Sequence, residues 1–136
     1  AALNTLAALR GLLAKPASVV FVGTFLTRST FPGLAAYIAS KAALAAHART
    51  LAVEFAPLEV RINLVSPGPT ATAIWGTLGL SDEQLGQVAD SVTQRLLPGR
   101  FLEAAAVANV ILFQLSQGAR GVYGQDWVVD NGYTLT

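Results

Sequence analysis

The chain has 136 residues, of which 53% are hydrophobic and only 12% charged, with a formal net charge of +1. That length suits one domain, so few charges leave apolar surface for a partner to cover, and the near-neutral balance without a basic–aromatic block points to neither nucleic acid nor a membrane surface. Disulfides and thiolate metal sites are excluded because cysteine is absent, and one histidine without an acidic cluster at ligand spacing gives no expectation of a metal centre.

Residues 3–14 read as an amphipathic helix, with Leu3, Leu6, Leu9, Leu12 and Leu13 on one stripe. It begins without a cap, so residues are expected to precede it. Lys15-Pro16 ends it. "SVVFVGT", 18–24, is a continuous β-branched and aromatic run, the pattern of a strand buried on both faces. Residues 25–33 form a loop closed by Pro32-Gly33. "LAAYIASKAALAAHARTLAVEF", 34–55, predicts a helix about 33 Å long at 1.5 Å per residue. "VRINLVSPG", 60–68, is a second strand, stopped by Pro67-Gly68.

Residues 69–98 are mixed, with a helix predicted over 81–95 behind the Ser81-Asp82-Glu83 cap. Residues 103–116 form another helix, and 121–132 a loop, a strand and a turn at Asn131-Gly132. Strands separated by long helices indicate parallel β-α units with helices on both faces, and three strands are too few for a free-standing doubly wound sheet. No apolar run approaches the roughly 18–20 residues that span a bilayer. No signal peptide opens the chain, and a cytoplasmic location is expected.

Tyr37 and Lys41 stand four apart and so share one helix face. An ammonium beside a phenol favours the phenolate, and a phenol so placed can exchange a proton with a substrate oxygen. Lysine can also hydrogen-bond a nucleotide ribose. Thr24 closes the first strand, and ligands of open α/β sheets sit at the carboxyl ends of the strands. A Tyr–Lys pair at this spacing is common on helices, so the pair gains meaning only from its surroundings.

Those surroundings resemble the C-terminal half of a short-chain dehydrogenase/reductase. The residues that carry the likeness are "VVFVGT", then twelve residues, then "YIASK", followed by "RINLVSPGPTAT" and "GQDWVVDNG". The family pattern is a strand ending in Ser, Tyr-x-x-x-Lys, a strand ending Asn-x-x-x-Pro-Gly, and Gly-x-x-x-x-x-Asp-Gly-Gly. Here these fall on Thr24, Tyr37 and Lys41; on Asn63, Pro67 and Gly68; and on Gly124, Asp130, Asn131 and Gly132. The resemblance covers nearly the whole chain. It implies a Rossmann-like doubly wound α/β fold of which residues 1–136 are the C-terminal portion of one domain.

The resemblance further implies an NAD(P)(H)-dependent oxidoreductase that interconverts an alcohol and a ketone or aldehyde, with NADP slightly ahead of NAD. Tyr37 would be the general acid/base, Lys41 its activator and the ribose ligand, and Thr24 the hydroxyl that orients the substrate. Tyr37, Lys41, Pro67, Gly68, Thr70 and Thr72 would face the cofactor, with Thr24 and Trp75 facing a small carbonyl or alcohol substrate. The helix over 34–55 would form a dimer or tetramer interface.

Three departures stand out. Thr24 replaces the family serine and adds a methyl. Asn131 replaces a glycine, at a turn asparagine tolerates. The family's Gly-x-x-x-Gly-x-Gly phosphate loop is absent from these residues, and its cofactor-selecting residue with it. Asn4 lies too near Thr24 to be the family's active-site asparagine. His47 reads as a helix-surface residue, and Trp127 as core or interface. Two other readings stay open: an incomplete fragment acting only as an oligomerisation module, and a cofactor-binding regulator in which threonine has suppressed turnover.

Overall fold

Seven of the eight residues of the strand Val60–Pro67 are buried, which makes it the centre of the molecule. A computed structural model describes residues 2–136. The helices are α1 (Ala2–Leu9), α2 (Ala35–Phe55), α3 (Asp82–Gln94) and α4 (Ala104–Leu115); the strands are β1 (Ala17–Val22), β2 (Val60–Pro67) and β3 (Asp126–Val129). The three strands form one parallel sheet in the order β1-β2-β3. Parallel neighbours need crossovers, and α2 supplies the one between β1 and β2. The expected Rossmann-like parallel sheet with flanking helices is what the chain forms.

Strand alternation divides the core. Val60, Ile62 and Leu64 of β2 and Phe21 of β1 pack with Leu6, Ala48, Ala52 and Phe55, so α1 and α2 cover one face. Val65 packs with Val107, Val20, Val110 and Ile111, placing α4 on the other. The second face also holds buried polar groups: Gln114 Nε2 donates to the Leu64 carbonyl at 3.2 Å, and Arg61 Nη2 to the Ser116 carbonyl at 3.0 Å. A third cluster gathers Val92, Leu96 and Tyr133 with Phe25, Trp75 and Phe101.

The elements lie close to their sequence-based bounds, with two informative differences. The first helix stops at Leu9 and continues only as a 3-10 turn to Leu12. Gly11 disfavours helix there, and Leu12 is 81% exposed, so no packing offsets that cost. β1 ends at Val22, so Thr24 stands beyond the strand as the cap of a 3-10 turn over Phe25–Thr27. The Ser81 box forms in full: Ser81 Oγ accepts from the Gln84 amide, and Gln84 Oε1 accepts from the Ser81 amide. Among the described residues no helix is long and apolar enough to cross a membrane.

Candidate active site

The inward stripe of α2 explains how its two candidate residues come to the sheet. Leu44, Ala45, Ala48, Leu51, Ala52 and Phe55 pack on the sheet. Counting back from them by helical steps reaches Lys41 and Tyr37. Both therefore lie on the sheet side of α2, in its first two turns, where Tyr37 is 42% exposed. Lys41 Nζ donates to the Val22 carbonyl at 2.9 Å, which ties the helix to the carboxyl end of β1. The same ammonium lies 6.0 Å from the centre of the Tyr37 ring.

Thr24 follows two residues after Val22 and is 4% exposed. Its Oγ1 accepts from the Leu26 amide at 3.4 Å, and its carbonyl accepts from Thr27 Oγ1 at 3.0 Å. One lone pair of the hydroxyl thus has a partner, and the hydrogen remains free to donate to an oxygen. Gly23 before it is fixed by β2: its amide donates to the Val65 carbonyl at 2.8 Å. A Cβ at Gly23 would lie 2.5 Å from Ser66 Oγ, so only glycine lets the strand end pass there.

The 67–75 segment leaves the same end of β2. Gly68 runs against the backbone of Asp130, where a Cβ would stand 2.5 Å from its Cα. Thr70 bridges to Leu102, and its carbonyl accepts from Trp75 Nε1 at 2.7 Å. Trp75 also packs edge-on against Phe101, with ring centres 5.1 Å apart. Thr72 is exposed and its side chain makes no capping bond. Thr72, Trp75, Leu85, Ala89 and Phe101 line a cavity of about 590 Å³.

Asn63 and Asp130 are structural members of the same motifs. Asn63 is fully buried; its Nδ2 donates to the Val122 carbonyl at 2.8 Å and its Oδ1 accepts from the Gln125 amide at 2.9 Å. It thereby clips the approach of β3 to β2. Asp130 Oδ1 accepts from the Gly132 amide and Oδ2 from Thr134, closing the turn. Asn131 adopts φ 50°, so asparagine does occupy the left-handed region here.

The structure thus gathers Thr24, Tyr37 and Lys41 at the carboxyl end of β1, and Pro67, Gly68, Thr70 and Thr72 at that of β2. Trp75 sits beside Phe101. The sequence signalled nothing about a second cavity of about 340 Å³, whose walls include Phe31, Val88 and Tyr133. These residues come together only through tertiary contacts, and their spacing follows no motif.

A Rossmann-like parallel sheet with a tyrosine and a lysine at its carboxyl edge is the class that fold and site define. The family model described as enoyl-(acyl carrier protein) reductase matches residues 1–134. The chain is 36% identical over 118 residues to carbonyl reductase (NADPH) 2 of Sus scrofa, spanning 87% of this chain and 47% of that protein. It is 39% identical over 103 residues to cyclopentanol dehydrogenase of Comamonas testosteroni, spanning 76% of this chain and 40% of that protein. The crystal structure of angucycline C-6 ketoreductase LanV with bound NADP superposes with a TM-score of 0.86 at 25% identity, over 98% of this chain and 50% of that one. The chain belongs to the short-chain dehydrogenase/reductase family. It spans about half the length of the curated relatives it matches.

Proposed function

We propose that the protein carrying this chain is an NAD(P)(H)-dependent oxidoreductase, NADP slightly favoured, that interconverts a small alcohol and its ketone or aldehyde. The observation that carries this reading is the Lys41–Val22 bond, which holds the Tyr37/Lys41 turn of α2 against the strand end that leads into Thr24. The relatives' names point the same way, towards carbonyl reduction and alcohol oxidation with NADPH or NADP.

The residues present fit the nicotinamide end of such a cofactor. Tyr37 is open to solvent, Thr72 presents an uncommitted hydroxyl, and Gly68 lets the backbone of the loop pass closely. No Gly-x-x-x-Gly-x-Gly for the pyrophosphate occurs in these 136 residues. Lys41 would hold the ribose, and Pro67, Gly68, Thr70 and Thr72 would border the carboxamide. When bound, the nicotinamide supplies or accepts the hydride.

Thr24 donates its hydrogen to the substrate oxygen and orients it. Tyr37 gives a proton to that oxygen in reduction and takes it back in oxidation. Lys41 anchors the turn that carries Tyr37 through its bond to the Val22 carbonyl. The Ala-rich outer face of α2 packs against a second copy, in a dimer or tetramer. Tyr37→Phe keeps the ring and removes only the proton-carrying oxygen. Its kcat in the full-length protein falls at least a hundredfold, within the range expected for general acid–base catalysis of about 10²–10⁴. Steady-state assay finding most of the activity intact removes Tyr37 from the mechanism.

A further inference from the structure

Thr24 opens a single 3-10 turn and Arg28 closes it. Within the turn, the Leu26 amide donates to Thr24 Oγ1 and the Arg28 amide donates to the Phe25 carbonyl at 2.9 Å. Where the Thr24 hydroxyl stands therefore depends on what fixes the two ends of the turn. At the near end, the Gly23 amide holds the chain to the Val65 carbonyl of β2 at 2.8 Å. Beyond the far end, Thr30, Phe31, Pro32 and Gly33 are all exposed and offer little to hold it.

Arg28 supplies the second anchor. Its Nη2 donates to the Asp126 carbonyl at 2.9 Å and lies 3.4 Å from Asp126 Oδ2. Asp126 is the first residue of β3, so the contact ties the loop that follows β1 to the strand on the far side of β2. The receiving residue is itself fixed. Ser66 Oγ, buried in β2, donates to Asp126 Oδ1, and the neighbouring Gln125 amide donates to Asn63 Oδ1 at 2.9 Å. An ion pair between two exposed side chains stabilises little, because water screens it and both chains must be held still. Here the partners differ: the Arg28 side chain is 51% exposed, that of Asp126 only 14%. Ser66 and the strand pairing set the place of the carboxylate, and one guanidinium nitrogen meets two oxygens of the same residue. Among the described residues no other cation pairs with Asp126. Such a contact adds little to global stability and decides where the turn sits.

We infer that Arg28 is a positioning residue: clasped to Asp126, it holds the turn that presents the Thr24 hydroxyl to the substrate oxygen. The inference rests on the role proposed above for Thr24. Arg28→Met keeps an unbranched stem and removes the charge and the donors. In the full-length protein with NADPH and acetophenone, it is expected to lower kcat by about tenfold or more, within the scale on which a misplacement of about 1 Å acts. The same change made in Thr24→Ala is expected to alter kcat by less than about twofold, because the group it positions is gone and the two costs do not add. Amide exchange of the full-length protein over residues 24–28, which include the Leu26 amide bonded to Thr24 Oγ1, is expected to quicken about tenfold in Arg28→Met and to stay unchanged in β2.

Unchanged exchange over 24–28 overturns the inference. So does a cost of Arg28→Met that is as large in Thr24→Ala as in the unaltered protein, since a contact with a structural role alone acts equally in both. Lost activity in Thr24→Ala without loss in Arg28→Met counts against the clasp alone. Full activity in Thr24→Ala counts against the role of Thr24, and the inference falls with it. Where acetophenone is not turned over, the exchange over 24–28 decides by itself.

Discussion

Thr24 joins a structural role to the one proposed for it in the chemistry. Its Oγ1 caps the 3-10 turn by accepting from Leu26, which leaves its hydrogen available to donate. Thr24→Ser preserves both functions and removes a methyl, so kcat should be kept or raised. Thr24→Ala should lower kcat/KM by roughly 10²–10³, the cost of one lost hydrogen bond to developing charge. Assay of both variants in the full-length protein decides; equal activity for Thr, Ser and Ala would show that the hydroxyl takes no part. Asn63 is a contrasting case, since it is fully buried and its two bonds end on backbone. Asn63→Ala leaves the Val122 carbonyl and the Gln125 amide without their partner. Denaturant unfolding should show a loss of about 1–3 kcal/mol. Unchanged stability would mean that water replaces the amide at no cost.

At the scale of elements, α2 is the part that joins sheet to site. Its inner stripe packs Ala48, Ala52 and Phe55 on β2 and carries Tyr37 and Lys41 at the far end. Its outer face is alanine-rich, with Ala39, Ala42, Ala43 and Ala46 exposed, and Val53 is 74% exposed. Small side chains let two helices approach closely, which suits a helix–helix contact between copies. Ala46→Arg should reduce a dimer or tetramer to a smaller species in sedimentation velocity. An unchanged assembly would place the interface elsewhere. α3 is held differently: its start depends on the Ser81–Gln84 box and its body packs through Val88 and Val92. It separates the two cavities, with Leu85 and Ala89 facing one and Val88 and Val92 the other.

For the whole molecule, the decisive point is the division of cofactor binding. In the proposed reading, residues 1–136 would border the nicotinamide end, and they contain no glycine-rich loop for the pyrophosphate. Helix N-termini with such loops supply much of the grip on dinucleotides. Residues 1–136 alone should therefore bind NADPH far more weakly than the full-length protein. Fluorescence titration of both is the measurement, and micromolar binding by residues 1–136 alone overturns this division.

Much of the molecule is legible in the sequence because the relevant signals are local. Hydrophobic period separates strands from helices, Pro and Gly mark their ends, and the Tyr37/Lys41 spacing fixes a shared helix face whatever the helix packs on. Pro67-Gly68 and Asp130-Asn131-Gly132 likewise mark turns by their own backbone preferences. Other features depend on partners distant in the chain. That Thr24 caps a turn beyond the strand is set where β1 loses its pairing with β2. That Gly68 must be glycine is set by Asp130 lying against it. That Trp75 bonds to the Thr70 carbonyl and meets Phe101, and that Arg95 spends its charge on Tyr133, follow from α3 and the chain end folding over the sheet. The cavity walled by Phe31, Val88 and Tyr133 belongs with these, because its walls come from three separate segments that only tertiary packing brings together.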